Sequence, residues 1–457
     1  MKSSFIMESI TSTNAIDALR ELLKGDFDFH EQSSNDASHN FHSFPAKFPP
    51  ELPRKLISEL TSEGDIVLDP MIGSGTTAVE AYLLNRKALG FDIDPLALII
   101  ARVKTTPLDK QLVLNSFMLI KRKVVDRLSK SPDYLRSEII HQFGPETIKF
   151  MDTWYLKPTQ AELFALSQEI LNIQDEKIRD FFVVAFSATI ITKSGGVSLA
   201  LDLGHTRPHR AKKVVDKNGN ILIGETDQYY PRHSVKIMRT VLPEFEKKCL
   251  ANLGGLPSVN EHILEPEIKF GDSQNLPLAD DSIDLIVTSP PYASNAIDYM
   301  RAHKFSLVWF GYPIEALSEK RKEYIGGEST THFVFEELPA YSQSIVNKVQ
   351  ARDKKKAQVL HRYFSEMTRV LKEMHRVLKS QKSSIVVVGN SNIKGVNAEI
   401  PYCLAEIGQN IGFKVPIVGV RELNRDKRML PVGSNINSES QIQQRMHEEY
   451  LIGFFKP

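Results

Sequence analysis

Cysteine is almost missing from this chain, with Cys249 and Cys403 the 2 in 457 residues. That scarcity excludes a disulfide framework and a cysteine-rich metal site. No apolar run approaches the length of a membrane span, and residues 1–42 lack the basic-then-apolar order of a secretory signal, so the expected location is the cytoplasm. Charge of one sign is missing too: 57 Lys and Arg against 56 Asp and Glu leave a formal net charge of +1. This balance neither marks nor excludes a nucleic-acid partner, because binding phosphates needs a local basic surface and not a basic average. Among the histidines, His205 and His209 are spaced like ligands on one helix face, but Pro208 separates them and no third ligand is evident. No metal is expected there. What remains is 42% hydrophobic and 25% charged, the composition of a soluble globular protein too long for one ordinary domain.

Two strand ends carry the chemistry. Residues 66–77 read Ile-Val-Leu-Asp-Pro-Met-Ile-Gly-Ser-Gly-Thr-Thr, a β-branched run that breaks into a glycine turn and continues as a helical stretch over 78–84. Gly73 and Gly75 allow close backbone approach to a ligand at a helix N-terminus, and Thr76 opens that helix. The next strand, 87–91, ends in Asp92, an acid placed to take ribose hydroxyls. Gly73-Ser-Gly75-Thr-Thr-Ala78 also fits the dinucleotide pattern, which keeps a nicotinamide or flavin enzyme open as a rival. A Walker-type phosphate loop is excluded, since no lysine follows the glycines. Asp69-Pro70 before them repels phosphate and favours a ligand with an ammonium group.

The second end is Thr288-Ser-Pro-Pro-Tyr292, which stops the apolar strand 283–288. Pro290 and Pro291 have no N–H and a fixed φ, so neither a ladder nor a helix continues through them. Ser289 and the free carbonyls can accept the protons of an exocyclic amino group, and Tyr292 offers a ring on which an extruded base would stack.

Asp69-Pro-Met-Ile-Gly-Ser-Gly-Thr-Thr77 with Ser289-Pro-Pro-Tyr292 resembles the S-adenosylmethionine-dependent DNA amino-methyltransferases, which methylate the exocyclic nitrogen of cytosine or adenine. Phe41-His-Ser-Phe-Pro-Ala-Lys-Phe48 is similar to the family segment that walls the methionine end of the cofactor, which implies that role for Phe44, Pro45 and Lys47. Gly271-Asp272-Ser273 sits where the family places an acid against the adenine amino group. The resemblance implies S-adenosylmethionine as cofactor, with Asp69 near its ammonium, Asp92 on its ribose and Asp272 on its adenine. It implies double-stranded DNA as substrate, with a cognate restriction endonuclease as a possible partner. A serine before Pro-Pro-Tyr is commonest in the enzymes that make N4-methylcytosine; N6-adenine methylation, an RNA amino-methyltransferase and a non-catalytic DNA-binding subunit stay open. Carbon-5 cytosine methylation is excluded, because that family's nucleophilic cysteine follows a proline, whereas Cys249 follows Lys248 and Cys403 follows Tyr402.

Basic stretches supply candidate DNA contacts. Arg207, Arg210, Lys212 and Lys213 precede apolar runs around Asn218-Gly219, a hairpin signal, which predicts a basic strand pair protruding from the core. Arg301 and Lys304 follow the catalytic turn closely enough either to reach phosphates around an extruded nucleotide or to pack on the sheet edge, and further basic residues cluster at 348–356 and 424–431.

The predicted architecture is α/β, a Rossmann-like seven-stranded methyltransferase sheet with a large, mainly helical insertion. Strands are expected at 66–69, 87–92, 267–271, 283–288, 384–389, 414–421 and 449–455. Residues 1–40 form a tail with one helix, 41–106 the first part of the core, 107–266 the insertion and 267–457 the second part of the core. Within the insertion, helices are expected at 110–128, 159–171, 177–192 and 234–253, with Trp154 and Tyr155 in its core. A long helical pattern runs over 339–379. The insertion is a candidate for target recognition, although it enters one strand earlier than the family's usual order.

Overall fold

The computed structural model describes residues 12–29, 37–44, 47–203, 208–257, 264–293, 298–423 and 448–457. In chain order, helices α1 (Ser12–Leu23) and α2 (Glu51–Leu60) precede β1 (Ile66–Asp69), α3 (Thr76–Leu83), β2 (Lys87–Asp92) and α4 (Pro95–Thr105). Helices α5 (Lys110–Leu128), α6 (Pro132–Gln142), α7 (Pro145–Trp154), α8 (Lys157–Leu171) and α9 (Glu176–Ile190) follow. Short strands β3 (Lys213–Val215), β4 (Ile221–Ile223) and β5 (Val235–Ile237) come next, then α10 (Val241–Gly254). The chain continues through β6 (Glu267–Phe270), β7 (Ile283–Thr288), α11 (Tyr299–Leu307), α12 (Ile314–Lys320), α13 (Ala340–Gln350), α14 (Lys354–Val377) and β8 (Leu378–Gly389). It ends with the small ladder of β9 (Asn392–Ile393) and β10 (Val396–Asn397), then α15 (Ile400–Ile411), β11 (Lys414–Glu422) and β12 (Glu448–Phe455).

The main sheet has 7 strands in the order β11-β12-β8-β7-β1-β2-β6. Pairing is parallel from β8 to β6, and β12 runs antiparallel to both of its neighbours. This is the expected Rossmann-like sheet. Its central strands are buried on both faces, so successive residues serve opposite layers. Val67, Leu285, Ile385 and Leu451 join the layer built by α1, α2 and α3, whereas Leu68, Ile286, Val386 and Ile452 join that of α13, α14 and α15. Strand order reverses at β1, which lies between β2 and β7. A crevice therefore opens at the carboxyl ends of these strands.

All seven predicted core strands are present, with small differences at their ends. β8 begins at Leu378 instead of Ser384, and the helical pattern predicted across 339–379 splits into α13 and α14. The break falls at Asp353, whose carboxylate caps α14 by accepting from the Lys356 N–H. The predicted helix over 234–253 is replaced at its start by β5. Pro243 would clash inside such a helix but is tolerated in the first turn of α10. Helix α1 is part of a covering layer and not a free tail: Leu19 and Leu23 are buried against the sheet.

Helices α5, α8, α9 and α10 share one apolar cluster with α4 and α11. Tyr155 is buried there as expected, its hydroxyl donating to the Phe305 carbonyl at 2.6 Å, and Trp154 packs edge-on against Phe305. The insertion is thus packed onto the helix that follows the catalytic turn. The hairpin of β3 and β4 forms around Asn218-Gly219 as predicted, but it does not stand alone. It pairs in parallel with β5 and closes its own apolar cluster around Leu199, Ala211 and Val214.

Candidate active site

The glycine loop is held by carboxylates. Asp69, at the tip of β1, accepts from the Thr288 hydroxyl at 2.7 Å and the Met71 N–H at 3.2 Å. One side chain therefore ties the loop to the end of β7. Burial pushes the Asp69 carboxyl up to about 6 against these hydrogen bonds. Gly73, at φ 48°, donates its N–H to Asp92 Oδ2 at 2.9 Å. The other oxygen of Asp92 accepts from the Asp94 N–H at 2.9 Å. Burial, with the Asp94 charge beside it, pushes Asp92 up to about 7. Lys104, itself buried, donates to the Ser74 carbonyl at 2.7 Å and supports the loop from behind.

Asp94 was not singled out from the sequence, yet it organises the next layer. It caps α4 through the Leu96 and Ala97 N–H groups, and its other oxygen meets His303 Nδ1 at 2.6 Å and the Tyr324 hydroxyl at 2.8 Å. Burial pushes its carboxyl up, but the His303 and Tyr324 partners outweigh this and hold it below the usual carboxylate range. The hint in the sequence is Asp94-Pro95, a cap followed by proline in the first helical turn. Its partners lie 209 and 230 residues further along the chain and leave no local signal.

These groups border a cleft of ≈ 910 Å³ of empty space. Phe44, Lys47, Asp69, Pro70, Gly73, Thr76, Asp92 and Asp272 line it together with Ser289 and Pro291. The structure thus brings both strand-end motifs to one cavity. Tyr299 and Tyr324, absent from the sequence reading, complete an aromatic wall in which Phe44 and Tyr299 stack at 4.9 Å. Lys47 donates to the His39 carbonyl at 2.7 Å, and burial lowers its ammonium to about 8. Asp272 is exposed at the rim and accepts from the Gln274 N–H at 2.9 Å. Pro45 lies outside the described residues.

Several expected roles need correction. Gly75 serves packing instead of ligand approach: at φ 80° it precedes α3, and a Cβ there would lie 2.9 Å from Ala101 of α4. Pro290 and Tyr292 are buried behind the cleft surface. The Tyr292 hydroxyl donates to Glu449 at 2.9 Å, and Glu449 is paired with Arg421. Its ring packs in the sheet's apolar layer, so in this conformation the accessible rings belong to Phe44, Tyr299 and Tyr324. Arg301 is engaged by Asp298 at 2.8 Å, and the Lys304 ammonium lies 5.4 Å from the centre of the Phe150 ring, where burial lowers its pKa. Arg301 thus stays partly exposed beside its own helix start, and Lys304 faces α7. Arg210 donates to the Thr153 carbonyl at 2.9 Å while remaining exposed, Lys212 is exposed, and the Lys213 ammonium lies 5.6 Å from the centre of the Tyr230 ring. Arg207 and the basic stretch 424–431 lie outside the described residues.

Comparison with known proteins finds a match to the N6/N4 DNA methylase family model over residues 20–102 and 283–450. The gap between the two segments contains the insertion. Type II methyltransferase M.MvaI of Kocuria varians is 22% identical over 404 residues, covering 83% of this chain and 82% of the relative. Type II methyltransferase M.BsoBI of Geobacillus stearothermophilus is 22% identical over 442 residues, covering 84% and 80%. Among solved structures, a TehB-like SAM-dependent methyltransferase from Corynebacterium glutamicum aligns with a TM-score of 0.28 at 10% identity, covering 89% of this chain and 87% of that one.

Proposed function

The chain belongs to the DNA methylase family, an S-adenosylmethionine-dependent DNA amino-methyltransferase, and from that premise we propose that it methylates the N4 amino group of cytosine within a specific duplex sequence. The observation that carries this reading is the placing of Ser289 and Pro291 on the same cleft as Asp69 and Asp92.

The cleft suits a cationic cofactor. Burial raises both Asp69 and Asp92 above the ordinary carboxylate range, and a ligand bearing an ammonium and a sulfonium would favour their ionised forms. Asp92 would take the ribose hydroxyls, Asp272 the adenine amino group, and Asp69 the ammonium or its water shell. Phe44, Pro45 and Lys47 would wall the methionine end, with Pro70, Gly73 and Thr76 along the loop. When bound, the cofactor supplies an already activated methyl group. The chain's own task is then to orient a weak nitrogen nucleophile. The Ser289 hydroxyl and the Pro290 carbonyl accept the amino protons, which draws the nitrogen out of conjugation with its base and frees its lone pair. Pro291 fixes the direction of the turn. Tyr292, anchored through Glu449, holds the turn against the sheet.

Ser289, in place of aspartate or asparagine, favours cytosine over adenine. Residues 107–266, whose sequence carries Arg207, Arg210, Lys212 and Lys213 ahead of the Asn218-Gly219 turn, form the unit we assign to target recognition. Relatives named Type II methyltransferases support a restriction–modification setting, in which the partner would be a cognate endonuclease. Among the described residues no helix is long and apolar enough to cross a membrane. The test is to methylate duplex DNA with the purified protein and weigh the modified nucleoside. N4-methylcytosine is expected. N6-methyladenine would overturn the base, and preferential methylation of RNA would overturn the substrate class.

A further inference from the structure

A second basic surface stands beside the catalytic turn, on the flank away from the insertion. β8 runs parallel to β7, so its carboxyl end, Gly389, lies on the same side as Ser289. Helix α14 enters β8 directly at Val377–Leu378, and its 24 residues span about 36 Å, close to the length of the 12-residue strand. The start of α14 therefore returns to the catalytic side of the sheet. Contacts bear this out: Lys394, in the loop after β8, pairs with Asp353 at 3.3 Å, and a Cβ added at Gly395 would lie 3.4 Å from Arg352. The same loop touches the catalytic turn, since the Ser391 hydroxyl donates to the Ala293 carbonyl at 2.6 Å.

This corner carries Arg352, Lys354, Lys355, Lys356 and Lys394. The acids around it are already engaged, with Asp353 capping α14 and pairing with Lys394, and Glu328 held by Lys356. Arg352, Lys354 and Lys355 are exposed and form no ion pair with a described residue. Three unpaired cations at one corner repel one another and lower the free energy of a polyanion that lies across them.

The opposite flank is set by α9. Asp180, near its start, pairs with Arg102 far down α4 from the cleft, whereas Ser187, near its end, meets His42 at 2.9 Å, two residues from the cleft-lining Phe44. The helix thus climbs toward the cleft, and β5 lies beside its end, where the Lys236 amine donates to the Ser194 carbonyl at 2.9 Å.

We propose that Arg352, Lys354 and Lys355 form a second phosphate-contact surface for duplex DNA, so that the target is gripped on both flanks of Ser289-Pro-Pro-Tyr292 and not by the insertion alone. The inference rests on the proposed DNA methylation and adds a place where the duplex must run. Each cation that meets a phosphate releases a counterion, contributing about 0.9 to the slope of log affinity against log salt.

The experiment measures binding of a fluorescent duplex of about 20 base pairs across a salt series. It compares the full chain, the triple variant Arg352→Ala/Lys354→Ala/Lys355→Ala, and the charge-keeping variant Arg352→Lys/Lys354→Arg/Lys355→Arg. The alanine variant should lose roughly 2 to 3 from the slope and roughly tenfold or more in affinity at moderate salt, with cofactor affinity unchanged. The charge-keeping variant should retain the parent slope. A parent slope in the alanine variant overturns the proposal while leaving the methyltransferase reading intact. A loss seen with single-stranded RNA but not with the duplex overturns it as well. A parent chain that binds no duplex at all removes both this surface and the proposed substrate.

Discussion

The tips of β1 and β2 and the tip of β7 face one cleft with opposite chemistry. On the first side stand the buried Asp69 and Asp94 and the half-buried Asp92, three carboxylates held by backbone N–H groups and the Asp94–His303 pair. On the second stand the Ser289 hydroxyl and Pro291, backed by the buried Pro290 and by Tyr292, whose ionisation burial drives well above its ordinary range. On the first side burial pushes Asp69 and Asp92 up toward neutrality while Asp94 is held low by its partners; the second side, residues 289–292, carries no carboxylate. A site that must bind a cation benefits from stored negative charge. A site that must draw two protons of a neutral amino group into hydrogen bonds needs fixed acceptors whose charge does not change.

The largest effect that would sharpen this contrast is expected at Asp92. Replacing it with asparagine should weaken cofactor binding by about 2 kcal/mol at about pH 8, the worth of a charge-assisted hydrogen bond or two. The pH dependence has a definite sign. Asp92 in the folded chain holds its proton up to about 7, against 3.8 ordinarily, so its contribution to stability falls as pH rises between those values. A cationic ligand favours the ionised form, so affinity for S-adenosylmethionine should rise by up to about tenfold between about pH 6 and about pH 8. Calorimetry on parent and Asp92→Asn checks this, and equal pH slopes in the two would break the contrast.

Next in size is Ser289→Ala. Turnover should fall roughly tenfold with cofactor affinity held within about twofold, because the hydroxyl acts on the base and not on the methyl donor. Single-turnover rates with calorimetry separate the two effects. Equal losses in binding and turnover would mean that the two sides of the cleft do not divide the work.

The smallest effect is expected at Tyr292→Phe, which removes the donor to Glu449 but leaves the Arg421–Glu449 pair in place. Thermal unfolding should report a loss of about 1 kcal/mol. Turnover should fall less than in Ser289→Ala if the ring stays in the apolar layer. A larger drop in turnover than in stability would mean that the ring leaves that layer to meet the base.

The strand ends were legible because their signals are local. Val67 and Leu68, or Ile286 and Val287, declare a strand by β-branching and continuous apolarity, and glycine or proline ends it within two to five residues. The segment 234–253 misled because its apolar spacing suits a helix, while Pro243 and the buried amine of Lys236, which donates to the Ser194 carbonyl at 2.9 Å and to the Ala200 carbonyl, favour β5. The surroundings of Arg301 and Lys304 were not legible for another reason: sequence distance from the catalytic turn says nothing about the Asp298 carboxylate and Phe150 ring beside them.

By itself the sequence determined the seven strands, the glycine turn at Gly73, the acid at Asp92 and the Ser289-Pro-Pro turn, since each follows from dihedral limits and side-chain period within a dozen residues. Only the tertiary structure decided which distant groups meet. Strand order places β7 between β1 and β8, so Thr288 reaches Asp69 across 219 residues and Tyr292 reaches Glu449 across 157. The same order brings the start of α14 beside the loop after β8. Such meetings depend on how layers close over a shared sheet, and no local pattern in the chain encodes them.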